Sequence, residues 1–123
     1  MPHPKPDRIP RKPYRRRVAS AKQWAAILEE KLGPCRVCGA AAWNGGDFPK
    51  VQMHHVVSRG HFGDDVAENI VPLCLECHDE VTRRMPATCL LLVASLEDAE
   101  YAYMIQRGGE GYVERAYGVR YTR

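Results

Sequence analysis

The sequence predicts an α+β fold: a small strand–loop–strand–helix core stapled by a four-cysteine zinc and flanked by helices. Three observations predict it. Two C-x-x-C pairs, Cys35-Arg36-Val37-Cys38 and Cys74-Leu75-Glu76-Cys77, are separated by 35 residues. Two short β-branched segments lie between the pairs, and helical patterns precede and follow them. The length of 123 residues, with 45% hydrophobic and 27% charged side chains, suits one domain with its own core. The best apolar run, Cys89–Ala94, is far short of the roughly 18 residues a membrane span needs. A membrane span, a coiled-coil rod and a wholly disordered chain are thereby excluded.

The elements follow in order. Ser20 caps a helix from Ala21 to about Leu32, with Trp24, Ile27, Leu28 and Leu32 on one face and Gly33-Pro34 as its stop. The first cysteine pair sits in a tight knuckle with Gly39. Ala40–Trp43 is expected as a short strand before a turn at Asn44-Gly45-Gly46-Asp47. Val51–Val57 reads as a strand, Ser58–Glu68 as a polar loop, and Asn69–Leu73 as a second strand leading into Cys74. A helix runs from Leu75 to about Met85, ended by Pro86. Two more follow, about Ala87–Ala94 and Leu96–Arg107, the latter capped by Ser95 and stopped by Gly108-Gly109. Glu110–Tyr117 adds a last short one.

The net charge of +3 is unevenly spread. Residues 1–17 carry seven basic side chains against Asp7 alone, whereas the other 106 residues carry 11 basic and 14 acidic ones. With five prolines, this tail is read as a disordered, basic, Pro-rich segment. It is either a solvated leader or an arm for phosphates, Arg15, Arg16 and Arg17 included. Residues 18–123 are then a single domain with its core at about 35–84 and a C-terminal helical extension. Without an apolar stretch, the N-terminus does not read as a secretory signal.

In a chain read as unsecreted, paired cysteines favour a metal over disulfides. Two thiolates spaced by two residues can face one small ion, and tetrahedral zinc takes four. Redox dithiol pairs and an iron–sulfur cluster are the rival readings. The dithiol reading lacks a thioredoxin-like strand-to-helix context. Cys89, in an apolar run, reads as a buried inert thiol. His54-His55 lies on the first strand, where neighbours point to opposite faces, so the two should not share a role. His78 directly follows the last zinc cysteine. One of the paired histidines can therefore meet His78 over a divalent ion, leaving the other to take a proton from water. His3 and His61 read as tail and loop residues without partners, and Asp64 and Asp65 as loop and turn residues.

His54-His55, then Gly63-Asp64-Asp65-Val66-Ala67-Glu68-Asn69-Ile70-Val71-Pro72-Leu73-Cys74, then Cys77-His78, resembles the HNH endonucleases, in particular the compact phage and bacterial type with paired zinc knuckles. The resemblance covers roughly Cys35–Arg84. It implies a ββα-metal, treble-clef-like core and a nucleic-acid substrate, double-stranded DNA above all. It implies a metal-dependent endonuclease that hydrolyses phosphodiester bonds. Cys35, Cys38, Cys74 and Cys77 would hold a structural Zn²⁺. His54 and His78 would hold a divalent catalytic ion (Mg²⁺, Mn²⁺, Ni²⁺ or Zn²⁺). His55 would be the general base, and Asn69 would orient the base or its loop. Thr82 stands where many relatives carry a further histidine. Arg59 and Lys50 are candidates to grip a neighbouring phosphate, with a plain solvated role as the alternative. The implied setting is the cytoplasm of a bacterium or phage-infected host, with phage genome processing and a packaging or processing partner as one context. The alternative from another class is a non-catalytic, zinc-stapled nucleic-acid-binding adaptor, which has no need of His55, Asn69 and His78.

Overall fold

A computed structural model describes residues 14–43, 46 and 49–123. The architecture is mixed: α1 (Ala21–Lys31), β1 (Val51–His55), β2 (Ile70–Cys74), α2 (Leu75–Thr82), α3 (Pro86–Ser95), α4 (Asp98–Gly108) and α5 (Tyr112–Tyr117). Two 3₁₀ turns, Arg59–His61 and Ala67–Asn69, shape the loop between the strands. No helix among the described residues is long and apolar enough to cross a membrane.

α1 starts where the sequence places it. The Ser20 side chain accepts the Gln23 N–H, and the Gln23 side chain accepts the Ser20 N–H, closing a capping box. β1 and β2 pair antiparallel, with Val51 opposite Cys74 and His55 opposite Ile70. The register therefore sets the zinc cysteines at one end of the hairpin and the histidine pair toward the other. β2 buries Ile70, Val71, Pro72 and Leu73 in succession, with β1, α1 and α2 all packed against it. α3 and α4 complete the core with Leu92, Val93 and Met104.

Several boundaries differ from the sequence reading, each for a local reason. Ala40–Trp43 is not a strand. Its carbonyls close the knuckle instead, Ala40 accepting from the Cys35 N–H at 2.8 Å and Ala42 from the Lys50 N–H at 2.6 Å. The turn expected at 44–47 falls largely outside the described residues. β1 ends at His55; the Val56 N–H still bonds the Asn69 carbonyl at 2.9 Å, the Val57 N–H turns to the Asn69 side chain, and both valines are buried in the core. α2 stops at Thr82, before Met85. Arg84 takes a left-handed φ of 58°, the Met85 N–H bonds the Glu80 carbonyl and the Arg84 N–H bonds the Val81 carbonyl. That is a Schellman ending with arginine where glycine is usual, so it left no glycine signal. Pro86 opens α3 at its first turn rather than merely ending α2. α4 begins at Asp98. Its cap is Glu97, whose N–H is accepted by Glu100 at 2.7 Å, while the Ser95 hydroxyl turns back to the Leu92 carbonyl.

Glu100 has a second role. It is 1% exposed and receives Lys31 Nζ and Arg36 Nη1, each at 2.6 Å. This buried triad joins the end of α1, the first zinc knuckle and the start of α4. A lone buried carboxylate would cost several kcal/mol, on the order of the penalty for any unpaired buried charge.

Candidate active site

At the zinc end, the four sulfurs of Cys35, Cys38, Cys74 and Cys77 lie within 4.8 Å of one another. A tetrahedral zinc with Zn–S bonds of about 2.3 Å needs sulfurs about 3.8 Å apart. Cys38 Sγ and Cys74 Sγ stand 3.6 Å apart, so the donor set fits zinc in identity and spacing. Local structure prepares it. Cys74 is the N-cap of α2, and its sulfur accepts the Cys77 N–H at 3.4 Å. Both sulfurs of the second pair thus sit at the positive end of a helix, while burial and the neighbouring sulfurs push their thiols up. At Cys35 burial raises the thiol, but hydrogen bonds from backbone amides outweigh it and bring the group down to about 7. Cys89 is fully buried, stands outside this cluster and directs its thiol to the Val81 carbonyl.

At the other end, the strand alternation separates His54 from His55. His54 turns toward His78 and Tyr117. The His54 and His78 rings meet edge-on, with centroids 5.5 Å apart and planes at 72°. Burial, reinforced by His78 and His55 nearby, lowers His54 to about 3, so it is a neutral imidazole with a lone pair to give. Its Nε2 lies 3.1 Å from the Tyr117 hydroxyl, which donates its own proton to the Val56 carbonyl at 2.5 Å. Tyr117 therefore accepts from His54 Nε2–H, and Nδ1 is left with the lone pair. Two neighbouring imidazoles could give a divalent ion two nitrogen ligands.

His55 turns the other way. Its ring stacks on Trp24 of α1, with centroids 5.9 Å apart and planes 8° from parallel. Its Nε2 lies 2.8 Å from Asp65 Oδ1. Burial lowers His55, Asp65 pulls it back up, and Arg59 and Arg16 lower it again; the net direction is down. His55 is thus neutral at pH 7, and its contact with Asp65 is a hydrogen bond to a carboxylate rather than an ion pair. His54 and His55 both border a cleft of about 260 Å³, which His61, Arg84 and Arg115 also line.

The loop that carries Asp65 is stiff. Asn69 is fully buried; its Oδ1 accepts the Val57 N–H at 2.7 Å and its Nδ2 donates to the Val57 and Asp64 carbonyls. Those bonds go to the loop, while the carboxylate on His55 belongs to Asp65. Gly63 is required there: a Cβ would come within 1.7 Å of the Val57 carbonyl oxygen. Asp64 is also fully buried. It accepts both Oδ contacts of the Tyr14 hydroxyl at 2.8 Å, the Tyr103 hydroxyl at 2.7 Å and the Arg17 N–H at 2.6 Å. Burial opposes its charge, yet these donors bring it down to about 2.

Three expectations change accordingly. Asp64 and Asp65 lie in a loop, but as buried acceptors rather than ordinary turn residues. Arg16 and Arg17 are not part of a free arm: Arg16 pairs with Asp65 and donates to the Gly63 carbonyl, and Arg17 pairs with Asp64 at 3.4 Å. A carboxylate with this many donors binds the chain that supplies them. His61 does have partners, with Nδ1 2.6 Å from the Ser58 hydroxyl and its ring edge-on to Tyr112. Of the phosphate candidates, Arg59 reaches within 3.6 Å of Asp65, beside the base, with its side chain 60% exposed. Arg15 is exposed. Lys50 is exposed and precedes β1 at the zinc end, away from the histidine cleft. The sequence reading missed Asp65, Trp24 and Tyr117 as partners of the histidines, and Arg84 and Arg115 as cleft residues. The adjacent aspartates ahead of Asn69 were the one visible signal; the others come from outside the motif.

Zinc corner, antiparallel pair and a helix carrying His78 make a ββα-metal core. Residues 35–84 match the family model for the HNH endonuclease. A curated relative is the type IV methyl-directed restriction enzyme EcoKMcrA of Escherichia coli (strain K12), 38% identical over 63 residues. The match takes in 49% of this chain and 22% of that protein, so the chain spans about a fifth of the relative's length. That relative's role is restriction, which lends no support to the phage setting expected above.

Proposed function

We propose that the chain is a metal-dependent endonuclease that hydrolyses phosphodiester bonds in double-stranded DNA. The arrangement that carries this reading is His55, held on the Asp65 carboxylate at Nε2, with its strand neighbour His54 bordering the same cleft and packed against His78. His54 and His78 would hold a divalent ion, which would supply charge neutralisation at the scissile phosphate. His55 takes the proton of the attacking water. Asn69 holds the loop behind the base, so the imidazole need not be ordered during the reaction. Arg59, Arg84 and Arg115 present cations to flanking phosphates. The zinc corner has a structural part only. DNA as substrate class accords with the relative's being a methyl-directed restriction enzyme.

The adaptor reading is favoured by one observation: Thr82, where many relatives hold a histidine, spends its hydroxyl on the His78 carbonyl. Plasmid cleavage across Mg²⁺, Mn²⁺, Ni²⁺ and Zn²⁺ separates the two. The nuclease reading expects cutting that His55→Ala lowers by about 10²–10⁴-fold, the scale of a general base, with zinc content and DNA affinity unchanged. His78→Ala should also fail to cut, with partial recovery in excess Mn²⁺ or Ni²⁺ that His55→Ala does not share. A wild type that cuts with no ion hands the function to the adaptor.

A further inference from the structure

The family match begins at residue 35, yet the face of His55 opposite the cleft is built largely from residues that precede it. Residues 14–19 lie as a strap along Gly63-Asp64-Asp65. The Asp65 N–H bonds the Arg17 carbonyl at 2.8 Å, Arg16 Nε donates to the Gly63 carbonyl at 3.0 Å, and the Ala19 N–H donates to Asp65 Oδ2 at 3.1 Å. The strap is itself pinned. Tyr14 bonds Asp64 and lies under the Arg107 guanidinium, whose carbon is 3.4 Å from the ring centroid. Trp24, one turn into α1, closes over the His55 ring.

Every donor around Asp65 demands an acceptor. Oδ2 is taken by Ala19, and Oδ1 is shared by Arg16 and His55, with Arg59 at 3.6 Å. Arg16, Arg59 and a backbone amide keep this carboxyl ionised, and an ionised carboxylate can only accept. The nitrogen of His55 that faces it must then carry the proton, and in the neutral ring the other nitrogen carries the lone pair.

We propose that Asp65, held by the Arg16–Ala19 strap, is the positioning residue of the base: it fixes His55 as the Nε2–H tautomer and leaves Nδ1 free to receive the proton of water, while Trp24 fixes the ring plane. The inference rests on the nuclease reading for its catalytic consequence, though not for the tautomer itself. The HNH stretch alone then lacks part of its own catalytic support, because the strap and Trp24 come from residues 14–24.

Asparagine at position 65 has one acceptor where the site needs two. If its oxygen serves Ala19, its amide faces His55 as a donor and favours the Nδ1–H tautomer. If its oxygen serves His55, its amide faces the Ala19 N–H. Asp65→Asn should therefore lower kcat by roughly 10²-fold, the scale of a correctly placed general base, with KM within about twofold. Arg16→Ala keeps the carboxylate and should lower kcat less, by about tenfold.

The deciding measurement is the long-range ¹H–¹⁵N correlation of His55 in the zinc-loaded full chain near pH 7.5. The wild type should show Nε2 protonated and Nδ1 bare, and Asp65→Asn should show a growing Nδ1–H population. A wild type with Nδ1 protonated overturns the proposal, whether or not Asp65→Asn folds. So does an Asp65→Asn protein with unchanged tautomer and unchanged kcat. A wild type that cuts no DNA removes the nuclease reading alone, because the tautomer is still read. A cutting enzyme with the wrong tautomer removes this inference alone.

Discussion

The zinc corner and the histidine cleft sit at opposite ends of the same two-stranded hairpin and are built on different rules. The corner uses four donors of one kind, from two short knuckles, each pair separated by two residues. The histidine end uses side chains of different kinds: Trp24 and Asp65 around His55, Tyr117 and His78 around His54. Their sequence separations run from 10 to 63 residues wherever a hydrogen bond is made. A metal that binds four equal ligands needs only their convergence. A base needs one nitrogen protonated and the other bare, which requires a second residue for every first one.

The comparison breaks most severely at the corner. Cys74→Ala removes a ligand and the sulfur that caps α2. It should lose its zinc, and the folding free energy the site supplies, about 10 kcal/mol or more, should go with it. Metal content and far-ultraviolet circular dichroism report this together; a folded, zinc-free Cys74→Ala protein contradicts it.

Behind the cleft, Asp64→Asn is expected to cost about 3–5 kcal/mol, because Arg17 and Arg107 lose a buried counter-charge while two tyrosine hydroxyls compete for one remaining oxygen. The pH dependence follows with a definite sign. Asp64 drops from its ordinary 3.8 to about 2 on folding. Its stabilisation is complete above about pH 4 and is lost as the pH falls toward 2. Acid melts of the wild type should show this loss, and Asp64→Asn should show a shallower slope across that window. Equal slopes for the two proteins would assign the acid sensitivity elsewhere, the zinc thiolates first.

Asn69→Ala sharpens the contrast from the loop. Three buried hydrogen bonds disappear, at about 1 kcal/mol each, or a total of about 2–4 kcal/mol once the space left is counted. Its thermal midpoint should fall while zinc stoichiometry holds, and zinc loss in step with the melt would join the two regions. Smallest is Cys89→Ala. This thiol is buried outside the corner, so the change should cost on the order of 1 kcal/mol and leave zinc binding intact. A lowered zinc content would place Cys89 in the metal's service after all.

How legible each part was follows from the range of its interactions. Ser20 announced the start of α1 because an N-cap is written in the residue just before the helix, and the structure adds Gln23 to close the box. The zinc corner was legible because two residues between cysteines is a constraint of geometry. Arg84 hid the end of α2, since a left-handed arginine carries none of the signal a glycine does. Ala40–Trp43 looked like a strand and became the back of a knuckle, because its carbonyls had nearer donors in Cys35 and Lys50. Arg16 and Arg17 looked like part of a solvated arm, and nothing in a basic run says which carboxylates it will meet.

The sequence by itself determined the donor chemistry of the metal corner, the antiparallel hairpin and the opposite facing of His54 and His55. Each depends on spacing along one or two adjacent segments. Only the tertiary structure decided which carboxylate stands behind the base, which hydroxyl stands behind His54, and that residues 14–24 belong to the centre at all. Those pairings join chain segments that meet only after the core has closed. Their strength comes from burial and from the unmet hydrogen-bonding demand that burial creates, and neither is a property of a residue's neighbours in sequence.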